Sequence, residues 1–253
     1  MGENKKDLVR WWQYWPRRLS LLTRLPAILK TAKHVANLSV ENRESWGSML
    51  EDAAVRFPDS AAVKSEEGQY TWKAYNEGTN AFANYFISQG LTKGDTAAVF
   101  LENRPELLMV YSAVGKIGAV NAMINTNLRR NSLRHCLTLH PAKSFIIGEE
   151  VIDAFEEVLG DLALRPDQNL YYVVDKGQKP APKGFTDLNK VVKDAGADNP
   201  STTSTVTPAD TIAFVFTSGT TGGIPKAAVI KHGRLVRSMY VNGKIVLNLK
   251  PQD

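Results

Sequence analysis

Between Thr211 and Arg234 the chain reads TIAFVFTSGTTGGIPKAAVIKHGR. Four hydroxyl side chains, Thr217, Ser218, Thr220 and Thr221, are interleaved with Gly219, Gly222 and Gly223, and Lys226 follows Pro225. Hydroxyls donate to phosphate oxygens. Glycines let backbone N–H groups converge on an anion at close range, and an ammonium adds a point charge. These are the parts of a triphosphate cradle. A plain polar turn needs neither the four hydroxyls nor the lysine.

A Walker A loop puts glycine directly before its lysine and Ser or Thr directly after, opening a helix. Here Pro225 precedes Lys226 and Ala-Ala-Val-Ile follows, which reads as a second strand. The loop is therefore expected to join two strands, with no helix N-terminus to face the phosphates.

Other polar clusters carry less. His135, Cys136 and His140 have the residue types of a metal site. On a helix, however, Cys136 and His140 share a face while His135 points about 100° away from Cys136, so core and rim positions are expected. Arg129 and Arg130 read as a solvated pair at a helix start. His232 reads as a structural residue opening the helix after the second strand. Glu149, Glu150, Glu156 and Glu157 read as one solvated helix face.

The elements that must position the loop follow from periodicity. Trp46, Met49, Leu50, Ala53, Ala54 and Phe57 share one helical face, stopped by Pro58. AAVKS and QYTW are short strands around Gly68. Trp72, Tyr75, Thr79, Phe82, Ala83 and Phe86 define a second amphipathic helix, with Thr71 as N-cap and Gly90 beyond its end. TAAVFL is a buried strand. Pro105 then opens a helix that Gly118 ends. AVNAMI, KSFIIG and NLYYVVD are strands alternating with the helices SLRHCLTLH and EEVIDAFEEVLG. Such alternation predicts an α/β fold with layered, parallel-rich sheets and flanking helices. Residues 176–210 read as surface loops around a short helix near Leu188. TIAFVF, apolar throughout, reads as a central strand.

The chain has 253 residues, a single cysteine and a net charge of +5. One cysteine excludes an internal disulfide. The charge is uneven: residues 1–33 carry eight Lys/Arg against two acids, a net of +6, and the remainder carries 23 against 24. This basic stretch also contains Trp11, Trp12, Tyr14 and Trp15. Arg24 and Pro26 interrupt its apolar run, which excludes a transmembrane span and a secretory signal. Two readings stay open, an interfacial segment on an anionic membrane or an extension packed on its own domain through the tryptophans. No nucleic-acid-binding motif accompanies the bases.

The motif TSGTTG followed by Pro-Lys resembles the signature of the adenylate-forming (AMP-binding) superfamily. ENRPEL, GKIGAVNAMINTNLRRNSLRHCL and KAAVIKHGR are similar to its fatty acid transport protein and very-long-chain acyl-CoA synthetase branch. The resemblance covers residues 42–253 and leaves 1–41 as the basic aromatic extension. It implies an acid–thiol ligase that uses ATP with Mg²⁺ and coenzyme A to activate a long- or very-long-chain fatty acid, in the cytoplasm and peripherally on the membrane. Thr217, Ser218, Thr220 and Thr221 would contact phosphates, Gly219, Gly222 and Gly223 would shape the backbone, and Lys226 would supply catalytic charge. The family pattern has one residue between the last signature glycine and the proline; here there are two, Gly223 and Ile224. The resemblance further implies that the metal, ribose, hinge and coenzyme A residues lie beyond Asp253. The chain alone is accordingly expected to be inactive, with the strand TIAFVF short of sheet neighbours. A ligase for another carboxylate, or a non-catalytic fatty-acid uptake component, are the alternatives.

Overall fold

The structure is a computed structural model that describes residues 15–66, 68–217 and 225–247. These fall into two compact units.

In the smaller unit, helix α1 (Trp15–Ala36) lies with a π-helical stretch, Tyr240–Leu247. The Arg24 guanidinium donates to the carbonyls of Lys244 (3.2 Å) and Ile245 (2.8 Å). Carbonyls in the last turn of a helix have no partner within it, and a cation is the natural one. The His34 and Tyr240 rings meet edge-on at 4.8 Å.

The larger unit runs from Ser39 to Val236. Helix α2 (Trp46–Arg56) opens on a capping box, in which Ser45 Oγ accepts from Ser48 N–H and Ser48 Oγ accepts from Ser45 N–H. Strands β1 (Ala61–Ser65) and β2 (Gly68–Thr71) form an antiparallel hairpin. Helix α3 (Trp72–Ser88) is capped by Thr71, whose hydroxyl accepts from Ala74 N–H. It ends in a Schellman turn: Leu91 N–H reaches Phe86 O, Gly90 N–H reaches Ile87 O, and Gly90 has φ +82°.

The main sheet follows as alternating strands and helices: β3 (Thr96–Phe100), α4 (Pro105–Ile117), β4 (Val120–Met123), α5 (Arg130–Thr138), β5 (Ala142–Gly148), α6 (Ile152–Leu159) and β6 (Asn169–Val173). Then come β7 (Thr186–Asp187), α7 (Leu188–Val191), β8 (Thr211–Thr217), β9 (Lys226–Lys231) and α8 (His232–Met239). The seven-stranded order is β7-β6-β5-β3-β4-β8-β9, parallel throughout except for the β8–β9 pair. This is the expected α/β class with a parallel-rich sheet.

Strand alternation splits the core into two layers. Ala97 and Val99 of β3 face α3 and α4, packing with Phe82, Phe86, Val110 and Ile117. Ala98 and Phe100 face α5 and α6, packing with Leu133, Cys136, Ile152 and Phe155.

The first layer is pinned by a buried charge that periodicity did not reveal. Lys116 is 0% exposed. Its ammonium donates to Glu51 Oε1 (2.9 Å), Asn76 Oδ1 (2.7 Å), Asn80 Oδ1 (2.6 Å) and Asn199 Oδ1 (3.2 Å). Burial lowers the lysine's pKa, and the Glu51 carboxylate opposes that shift. Close approach is required here: a Cβ on Gly47 would lie 2.8 Å from Lys116 Cγ.

Three expectations need correction. Residues 176–210 are not simply surface loops, because Asn199 joins the lysine cage, and Leu188 and Val206 are fully buried. β8 does have strands on both sides, β4 and β9, yet it is covered only at Ile212 and Ala213; Val215 is 40% exposed. Glu149 and Glu150 do not lie on a solvated helix face. They form a 3₁₀ turn with Val151 at the end of β5, and Glu149 is 4% exposed. Glu156 and Glu157 are exposed as expected.

Substituting Lys116 by Met would remove the ammonium and strand its four oxygen partners. Breaking a buried, hydrogen-bonded charge costs about 3–5 kcal/mol. Urea unfolding of Lys116→Met should show a loss of that size with an unchanged slope; an unaltered midpoint would contradict the role of the cage.

Candidate functional site

Ser218, Gly219, Thr220, Thr221, Gly222 and Gly223 lie outside the described residues. The structure does place the two ends of their loop. Thr217 and Lys226 are register partners across the β8–β9 hairpin, with Thr217 Oγ1 3.5 Å from Lys226 O. Lys226 is exposed. The loop therefore joins two strands, as its Pro-Lys-Ala-Ala-Val-Ile exit predicts. β8 runs parallel to β4, and through it to β3, so Thr217 and its partner Lys226 lie at the carboxyl end of the parallel strands. Open α/β sheets take their ligands at that end.

Helix α5 braces the hairpin. His135 Nε2 lies 3.3 Å from Pro225 O, and the His140 ring stacks on Phe214 with centroids 3.9 Å apart and planes 15° apart. Cys136 faces the core, where burial pushes its thiol pKa up. Among the described residues, no group of three or more His, Cys, Asp or Glu is placed to hold a metal ion. Arg129 donates to the carbonyls of Thr126 (2.5 Å) and Leu128 (2.8 Å), and Arg130 pairs with Glu157 at 3.0 Å on the surface.

His232, the first residue after β9, is buried. Its Nδ1 accepts from Trp46 N–H at 3.2 Å, and Trp46 Nε1 donates to Ser112 Oγ at 2.8 Å. Ser112 Oγ is 2.8 Å from the Tyr75 hydroxyl, which reaches Leu108 O at 3.0 Å. This chain of bonds ties the hairpin's exit to α2, α3 and α4. Burial lowers the His232 pKa to about 4; Asp210 opposes that shift and Lys93 adds to it.

A second feature escaped the sequence reading. The order β5-β3-β4 makes the carboxyl end of β3 a topological switch point, because the chain leaves β3 for β4 on one side and later places β5 on the other. A cavity of about 690 Å³ opens there, lined by Val63, Arg104, Pro105, Leu108, Glu150 and Asp175 among others. Arg104, the N-cap of α4, donates from Nη2 to Val173 O at 3.0 Å and pairs through Nη1 with Asp175 (3.0 Å) and Glu150 (3.5 Å). Glu150 also accepts from Glu102 N–H at 2.7 Å. Next to it, Glu149 accepts from the N–H groups of Asp175, Gly177 and Lys179 at 2.7–2.9 Å. Burial alone would raise the Glu149 pKa, but these backbone donors outweigh it and hold the carboxyl below its ordinary range. Adjacent Glu149 and Glu150 after an apolar strand are the only local hint of this arrangement.

A family model describing AMP-binding enzymes matches residues 50–253. The chain belongs to that family. Among curated proteins it is 29% identical over 251 residues to a medium/long-chain-fatty-acid–CoA ligase, FadD6, of Mycobacterium tuberculosis, covering 94% of this chain and 38% of that protein. It is 33% identical over 198 residues to long-chain fatty acid transport protein 1 of Rattus norvegicus, covering 75% of this chain and 29% of the relative. The chain thus spans well under half the length of these relatives. Among solved structures, the anthranilate CoA ligase AuaEII in complex with anthranoyl-AMP superposes with a TM-score of 0.75 over 85% of this chain and 40% of that one, at 19% identity. A long-chain-fatty-acid-CoA ligase from Archaeoglobus fulgidus gives 0.66 over 81% and 40%, at 20% identity. At these identities the superpositions establish the fold, that of the N-terminal part of adenylate-forming ligases.

The His232 geometry makes stability pH-dependent. Its folded pKa lies below the ordinary 6.5. Above pH 6.5 both folded and unfolded forms are neutral, and folding pays no penalty. As pH falls from 6.5 towards 4, the unfolded chain takes up a proton that the folded chain refuses, and stability drops by up to about 3 kcal/mol. Protonation would also put a donor against Trp46 N–H. His232→Asn keeps an acceptor near Nδ1 without titrating. Its unfolding free energy should vary less between pH 7 and 4.5 than the wild type's; identical profiles would remove His232 as the source.

Proposed function

We propose that the protein of which this chain is part activates a long-chain fatty acid with ATP, forming an acyl-adenylate and then an acyl-CoA. The observation that carries this reading is the β8–β9 hairpin. It sets Thr217 and Lys226 opposite one another at the carboxyl end of a parallel sheet, with TSGTTG as its turn sequence, in a chain of the AMP-binding family. The named activities of the relatives, a fatty-acid–CoA ligase and fatty acid transport proteins, support the choice of substrate.

In the first step the fatty carboxylate oxygen attacks the α-phosphorus of ATP, and pyrophosphate leaves with the electrons of the broken P–O bond. In the second, the coenzyme A thiolate attacks the acyl carbon and AMP departs. Negative charge gathers on phosphate oxygens in the first transition state. Thr217, Ser218, Thr220, Thr221 and the Lys226 ammonium are the donors this segment brings to it, and Gly219, Gly222 and Gly223 allow the backbone to follow. Mg²⁺ accompanying the nucleotide would lower its charge, and the residues of this segment would add hydrogen bonds and the Lys226 charge.

Location at a membrane surface, and a link to fatty acid uptake, belong to the same proposal. They are supported by the basic first 33 residues and by the relatives' transport names. A ligase for an aromatic acid is the second reading, favoured by fold similarity to the anthranilate enzyme.

ATP–pyrophosphate exchange by the full-length protein decides between them. Palmitate or oleate should support exchange, and benzoate or anthranilate should not; the reverse order would replace the fatty acid with an aromatic one. Lys226→Ala should lower the exchange rate about 10²–10³-fold, the typical cost of one transition-state donor, with fatty acid binding by calorimetry nearly unchanged. Wild-type exchange in that variant would take Lys226 out of the mechanism.

A further inference from the structure

Helix α1 has two unlike faces. Arg24 turns inward to the carbonyls of the π-helical stretch, and Ile28, Thr31 and Val35 are half-buried on that side. On the other side, Leu22, Leu25 and Leu29 are 64%, 46% and 60% exposed. The spacing i, i+3, i+7 places them along one line of the helix, about 10 Å long. Water is a poor environment for three aligned leucines, and contiguous apolar surface of this kind marks an interaction site.

Charge says what kind. α1 contains Arg17, Arg18, Arg24, Lys30 and Lys33 and no acidic residue, and Tyr240–Leu247 in the same unit adds Lys244 and again no acid. Lys30 and Lys33 are exposed beside the leucines. Val246 and Leu247 of the same unit are 63% and 64% exposed. Among the described residues no helix is long and apolar enough to cross a membrane. Lys30 lies to one side of this line and Lys33 continues it by one turn, so a helix lying in the headgroup plane could set the leucines among acyl chains while both lysines reach anionic phosphates.

We propose that the Leu22–Leu25–Leu29 face of α1 docks in plane on an anionic lipid surface, with Lys30 and Lys33 on the headgroups. This rests on the membrane location proposed above and assigns it to one helix face. It does not depend on the acid that the enzyme activates.

The test is co-sedimentation of the full-length protein with vesicles of phosphatidylcholine alone and of phosphatidylcholine mixed with phosphatidylglycerol. The protein should pellet with the anionic vesicles, and added salt should release it. Replacing Lys30 and Lys33 by Ala should weaken binding about five-fold per charge, and Leu22→Ser, Leu25→Ser and Leu29→Ser combined should weaken it about ten-fold or more. Exchange activity with a detergent-dispersed acid should survive in both variants, which separates this outcome from failure of the enzymatic reading. If the triple variant does not fold, a single change decides: an environment-sensitive dye on Leu29→Cys should shift to the blue on anionic vesicles, the native Cys136 being buried. Equal binding to neutral vesicles, full binding by the triple variant or no dye shift would overturn the proposal. So would a loss of self-association in the triple variant without a loss of vesicle binding, which would assign the stripe to a second copy of the chain.

Discussion

The layer of helices on one face of the sheet is organised around the Lys116 ammonium. Lys116 sits in the last turn of α4, the helix that carries the chain from β3 to β4. Its partners come from α2 (Glu51), α3 (Asn76 and Asn80) and the segment before β8 (Asn199). An apolar side chain there would pack with any nearby surface. A buried ammonium tolerates only an arrangement that brings oxygens to it from all these directions, because an unmatched charge in the core is costly. The cage thereby fixes α2 and α3 on α4. Thr202 Oγ1, donating to Lys116 O at 3.1 Å, brings in the approach to β8 as well. From there the chain enters the strand that presents the hairpin.

Parallel strands supply the rest of the geometry. β3, β4 and β8 run parallel, so their carboxyl ends share one edge of the sheet. β9 then breaks the pattern by returning antiparallel, which requires only a short turn. A helix after β8 would have offered a dipole at this edge; a returning strand offers none, and its first residue is Lys226. On the proposed function, that lysine and the hydroxyls between the two strands supply the charge and the donors that a nucleotide's phosphates need.

What the sequence made legible was local. The period of Trp46, Leu50 and Ala53, the Thr71 cap, the Gly90 turn and the strand-to-strand exit of the loop all depend on residues within a turn or two of each other. What it hid was long-range pairing. Glu149 and Glu150 look like the first half of a repeated Glu-Glu on a helix, and Glu156 with Glu157 are just that. Yet the first pair caps β5 and takes its partners from the Asp175–Lys179 backbone and from Arg104. Lys116 in an apolar run, GKIGAV, likewise gave no local sign of three asparagines and a glutamate waiting in other elements. Of the candidate site, the two strands joined by the loop were readable, and so were core and rim positions for Cys136 and its histidines; the Thr217–Lys226 register and the particular partners of His135 and His140, Pro225 and Phe214, were not, because they are long-range.

The apolar strand TIAFVF shows why composition alone could not set burial. Its first half, Ile212 and Ala213, lies under α4 and beside β4, and is fully enclosed. Register with β4 ends at Val215. Beyond that point β8 has only β9 as a neighbour, and Val215 and Val229 are 40% and 52% exposed. The strand therefore leaves the layered core just before it reaches the loop. Leaving the core suits the proposed role of the segment that follows, since phosphate oxygens lose hydration when met inside a core. Phe216 and Thr217, beyond that register, pair only with Ala227 and Lys226 of β9; just before it, where β4 still flanks the strand, Phe214 faces Val229 and carries the stacked His140 ring. β8 is thus rooted by burial at Ile212 and Ala213 and braced from the side by His135 and His140, and its last residue, Thr217, lies outside the layered core opposite Lys226.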